Sequence, residues 1–101
     1  MNRRRCLAAG ALLPVLTLGA LADDVGPEVA KRLLSEGRIR PLEEILDAVR
    51  VKVPGQMLEV ELELEHGVYV YEIKMLGPNG RVVEVDADAK SGKILEIEDD
   101  H

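Results

Sequence analysis

From Met57 to Glu65 the chain reads M-L-E-V-E-L-E-L-E, an unbroken alternation of apolar and acidic residues from Leu58 onward. In an extended backbone Leu58, Val60, Leu62 and Leu64 face one way, and Glu59, Glu61, Glu63 and Glu65 the other. Wound as a helix, the same residues would scatter both sets around the axis, so the segment predicts a strand with one dry face. A single strand of this kind is not stable alone, and the sequence supplies partners for it. After the turn His66-Gly67, Val68 to Leu76 places Tyr69, Tyr71, Ile73 and Met75 on one face. Gly77-Pro78-Asn79-Gly80 is a strong reverse-turn signal. Arg81 to Ala89 then sets Val83, Val85 and Ala87 against Glu84, Asp86 and Asp88. Lys90-Ser91-Gly92-Lys93 turns the chain again before a short last strand, Ile94 to Glu98. Connections this short predict antiparallel neighbours, a meander of three to four strands.

One face of that meander needs a cover. Leu42, Ile45, Leu46 and Val49 recur at helical spacing, after Pro41 and before Pro54-Gly55. Glu43 and Glu44 fall in the first turn and Arg50 and Lys52 in the last, each matching the helix dipole. Burying the four aliphatics is worth about 6–12 kcal/mol as an upper bound. Ordering a dozen residues costs about as much, so the helix needs a sheet to lie on. The expected fold class is α+β, a helix packed across an antiparallel three- to four-stranded meander. A shorter helix, Glu28 to Glu36, is expected ahead of it, opened by Gly26-Pro27 and stopped at Gly37. It belongs to a lead-in spanning 23–40.

Charge divides the chain in two. Met1 to Ala22 carries Arg3, Arg4 and Arg5 and no acid, whereas Asp23 to His101 holds 10 basic and 19 acidic groups. The opening is therefore +3 and the remainder −9, which excludes a nucleic-acid partner that needs clustered cations. Leu7 to Leu21 is uncharged, and Ala20-Leu21-Ala22 puts small residues where a signal peptidase reads. This is the layout of a secretory signal peptide over 1–22, with cleavage expected after Ala22. The apolar run, about 15 residues, falls short of the roughly 20 that span a bilayer, so no stable membrane anchor is expected after processing. Cys6, the only cysteine, would leave with the leader. The expected destination is the bacterial periplasm or beyond, for a 79-residue chain of one domain, over 41–98, and an acidic tail, 99–101.

The run from Pro41 to Glu98 resembles the PepSY family, small modules of thermolysin-type peptidase propeptides and of many secreted bacterial proteins. The residues that carry the resemblance are P-L-E-E-I-L (Pro41 to Leu46), V-P-G (Val53 to Gly55) and L-E-V-E-L-E (Leu58 to Glu63). V-Y-E-I-K (Val70 to Lys74), G-P-N-G-R (Gly77 to Arg81) and V-D-A-D-A-K-S-G-K-I-L (Val85 to Leu95) complete it. In the last stretch Ser91 stands where Thr is common in the family. The resemblance implies a non-catalytic module that inhibits or modulates a peptidase, or serves a sensor in the envelope. No peptidase domain follows in this chain, so inhibition is expected to act in trans on an envelope protein or peptidase.

Candidate sites are sparse. No catalytic residue and no cofactor are expected: His66 and His101 lie far apart, and Ser35 and Ser91 lack a nucleophile-elbow context. The alternating carboxylates are mainly a solvated strand face, with Glu84, Asp86 and Asp88 as weak candidates for divalent metal. Tyr69 and Tyr71 are expected to pad the interface under the helix, with a partner contact as the alternative, and Glu59, Glu61 and Glu63 would complete such a surface. The open edges of a small meander would accept a strand from a partner or, in a homodimer, from a second copy. An acidic periplasmic binder of divalent metal or small cationic ligands is the second functional expectation.

Overall fold

The computed structural model describes residues 22–99. The expected leader therefore lies, but for Ala22, outside the described residues, as does most of the acidic tail. Seven elements follow one another: β1 (Ala22–Asp24), α1 (Pro27–Ser35), α2 (Leu42–Lys52), β2 (Gln56–Glu65), β3 (Val68–Leu76), β4 (Val82–Asp88) and β5 (Ile94–Asp99). The strands form one antiparallel sheet in chain order, β1-β2-β3-β4-β5.

The α+β class is as expected, but the sheet has five strands rather than three to four. The extra strand is β1, which pairs Ala22, Asp23 and Asp24 with Glu65, Leu64 and Glu63. Three residues without hydrophobic alternation give no strand signal of their own. They are ordered by the open backbone groups at the edge of β2 and by Val25, whose N–H donates to Leu62 O at 2.8 Å.

α1 opens on Pro27 and closes in paired capping bonds, with Gly37 N–H donating to Leu34 O and Arg38 N–H to Leu33 O. Leu33, 1 % exposed, enters the main core together with Ile39. The lead-in is thus stitched to the sheet: Arg40 N–H donates to Ala89 O, and the Tyr71 hydroxyl donates to Arg40 O at 3.0 Å. α2 lays Ile45, Leu46 and Val49 onto the sheet, where they meet Tyr71, Ile73, Met75, Val85 and Ala87.

Two backbone positions set the register. His66 (φ 51°) and Gly67 (φ 79°) are both left-handed, which is the two-residue turn whose twist matches a β-hairpin. At Gly55 (φ 146°) a Cβ would stand 2.1 Å from Leu76 O, so only glycine brings α2 into β2 this tightly.

One detail of the alternation is corrected. The register shifts between Met57 and Glu59, so a bulge at Leu58 throws that side chain out to 50 % exposure. Met57 takes the inward place and packs against the core with Val60 and Leu62. The bulged strand bends at the point where it leaves the Gly55 turn.

Candidate functional site

The sheet has one covered face and one open face, and the open face carries nearly all of the strand charge. Register aligns it in rows across the strands. Glu61, Glu72, Asp86 and Glu96 stand directly opposite one another along one row. Glu59, Lys74, Glu84 and Glu98 form the next, where Lys74 Nζ lies 3.7 Å from Glu59 Oε1. Asp24, Glu63, Val70 and Asp88 form a third. Like charges set opposite across a ladder are unfavourable, so a row of four carboxylates is a costly arrangement.

The carboxylates respond by holding protons. Glu63 is pushed up to about 8, first by desolvation and then by its side-chain hydrogen bond with Glu65 and the charges of Glu72, Glu65 and Asp24. Glu72 rises to about 7, through desolvation and then the charges of Glu84, Asp86, Glu61 and Glu65. Asp86 rises to about 6 for the same reasons, with Glu65 the leading neighbour, and its Oδ1 is shut off from water with no hydrogen-bond partner among the described residues. Carboxylate oxygens of Glu72, Glu84 and Asp86 lie within 4.8 Å of one another, as do those of Glu63, Glu65 and Glu72.

The residues singled out in the sequence separate in space. Glu59, Glu61, Glu63, Glu84 and Asp86 share the open face. Asp88 shares that face but turns its carboxylate to the loop, accepting from Lys90 N–H at 2.8 Å and Ser91 N–H at 3.0 Å. Its pKa is lowered, by the Ser91 backbone bond first, as befits a carboxylate that caps a turn. Tyr69 and Tyr71 point to the opposite, covered face, where Tyr71 is buried and Tyr69 packs against the core. Burial, followed by the charge of Glu43, pushes the Tyr71 hydroxyl up. The Arg38 guanidinium sits 5.5 Å from the centroid of the Tyr69 ring. The two tyrosines and the glutamates therefore do not make one surface.

Glu72 is the member that reading the sequence misses. It lies between Tyr71 and Ile73 in a strand rich in large apolar residues, and only its parity places it at the centre of the acidic face. On the covered side, the C-terminal half of α2 and the start of β5 leave a cleft of about 430 Å³ lined by Ala48, Val51, Lys52, Lys93 and Ile94.

Compared with known families, residues 41–98 match the model described as the peptidase propeptide and YPEB domain, which is 58 of the 101 residues of the chain. No curated protein and no solved structure matches it.

Proposed function

The chain belongs to the PepSY family, and from that premise we propose that it is a non-catalytic regulatory module that binds another envelope protein, a peptidase or a sensor ectodomain. PepSY domains are in general peptidase-propeptide-like regulatory or inhibitory modules. The observation that carries the reading is the extent of the match. It begins at Pro41, one residue before α2, and ends at Glu98 in β5, taking in the helix layer and four of the five strands. The match therefore spans a helix and four paired strands, not a shared turn.

The setting follows from the leader expected over 1–22, which directs the domain to the periplasm or outside the cell. The test is direct. Purified chain is added to a thermolysin-type metallopeptidase and hydrolysis of a protein substrate is followed, and immobilised chain is challenged with periplasmic extract at several salt concentrations. The expected result is slowed hydrolysis, or salt-resistant retention of one peptidase or sensor protein. Unchanged hydrolysis together with no protein retained at any salt concentration would defeat the reading.

The convergence of Glu72, Glu84 and Asp86 oxygens within 4.8 Å favours a second reading, capture of divalent metal or a small cationic ligand on the open face. Calorimetric titration with Ca²⁺, Mg²⁺ and Zn²⁺ decides it. Saturable binding tighter than about millimolar supports it, and weaker or unsaturable heat removes it.

A further inference from the structure

The two edges of the sheet are built differently. At one edge β1 covers Glu63 to Glu65, and the part of β2 that no described strand pairs with has the bulge at Leu58 and carries Glu59 and Glu61. Among the described residues β1 already takes up part of that edge. At the other edge β5 is the last strand. Its bulge, at Leu95, sits near its start, leaving Glu96 to Asp99 as a regular run.

Above that edge stands a wall. Val51 on α2 is 82 % exposed, a high value for a valine on a helix that packs against the sheet. It lines the cleft with Ala48 and Ile94, and Ile97, which faces the same side of β5, is 47 % exposed. A strand edge flanked by an apolar helix side is the geometry in which an extended peptide gains main-chain bonds and side-chain pockets together. On the other side of β5, Glu96 and Glu98 continue the acidic rows of the open face.

We propose that the β5 edge, with the cleft under α2, receives an extended segment of another protein in which apolar and basic residues alternate. The apolar set would fill the space between Val51, Ile94 and Ile97, and the basic set would lie beside Glu96 and Glu98 on the open face. Charge decides against a second copy as the occupant. Antiparallel pairing of β5 with itself would set the Glu96 and Glu98 carboxylates of both copies side by side, adding like charge to rows already short of cations. The inference rests on the regulatory reading for the biological identity of the partner, while the pairing itself is tested apart from any peptidase.

The probe is an eight-residue peptide alternating valine and lysine, acetylated and amidated, added to the isotopically labelled full chain. Its controls are a peptide of the same composition with the valines and lysines in two blocks, and one alternating valine with glutamate. The expected result is slowed amide exchange confined to Glu96 to Asp99, by about tenfold or more, with spectral shifts at Val51 and Ile94, for the alternating lysine peptide alone. Val51→Ser and Ile97→Asn should each weaken that binding by about tenfold while leaving the rest of the spectrum in place. Equal binding of the block peptide overturns the proposal, because it would mean only charge attraction to the open face. So would protection on the β1–β2 side, no protection anywhere, or β5 protection that appears without peptide and grows with chain concentration.

Discussion

The two faces of this sheet are made by the same strands and obey opposite rules. On the covered face Ile73, Met75, Val85 and Ala87 are fully buried against α2 and the lead-in. On the open face the residues between them bring Glu72, Glu84 and Asp86 together with few cations to answer them. The covered face holds the fold, whereas the open face carries an arrangement that works against it. Val70 is the exception. It is 3 % exposed yet stands on the open face, outside the main core, in the row between Glu63 and Asp88. Desolvation likewise leads the causes that raise Glu63, Glu72 and Asp86 on that face.

The strongest way to break the comparison is to truncate both sides. Ile73→Ala should cost about 2–5 kcal/mol, read from the urea midpoint, and leave a domain of this size largely unfolded. Val68→Ala, at a half-exposed position on the open face, should cost less than about 1 kcal/mol. Val70→Ala sharpens the contrast: a loss approaching that of Ile73→Ala would mean that the open face has a small core of its own.

Acidity separates the faces next. Because Glu63, Glu72 and Asp86 titrate above their ordinary values, the folded chain binds more protons than the unfolded chain between their unfolded and folded pKa values. The stabilisation is complete below about pH 4 and is lost as pH rises through about 6 to 8. The thermal midpoint should therefore be higher at about pH 5.5 than at about pH 8.5, opposite to the usual behaviour of paired carboxylates. A midpoint that rises with pH over this range would contradict the account. Glu72→Gln should flatten the dependence and stabilise the domain at about pH 8 by on the order of 0.5 kcal/mol, an effect that fades in acid.

One carboxylate runs the other way. Asp88 is held below its ordinary pKa by the turn, so its contribution is present above the unfolded value and is lost as pH falls through the folded one. Asp88→Ala should cost about 1 kcal/mol at neutral pH and nothing further in strong acid, measured by denaturant unfolding on both sides of about pH 4.

Much of this is legible in the sequence alone. Alternation from Met57 to Glu65 marks the two faces, and the helical spacing of Ile45, Leu46 and Val49 marks the cover. The bulge at Leu58 is not: the apolar pair Met57-Leu58 breaks the alternation there, but two apolar neighbours at a strand's start do not say which of them turns inward. β1 is not, because Ala22 to Asp24 have no strand preference and are ordered by what the edge of β2 lacks. The acidic residues were visible one by one, but their rows depend on the two left-handed residues His66 and Gly67, which align β2 with β3. Glu72 joins them only once that register exists.

The tyrosines give the molecule a property that its sequence makes unusually clean. The chain has two of them and no tryptophan or phenylalanine, and both face the covered side from β3. Tyr69 lies beneath the Arg38 guanidinium, and Tyr71 donates its hydroxyl proton to Arg40 O. Near-ultraviolet circular dichroism and tyrosine emission of this protein are thus a local optical gauge, reading the seam where the lead-in meets the sheet. Detachment of 38–40 would be seen at once, while events on the acidic face would pass in the dark.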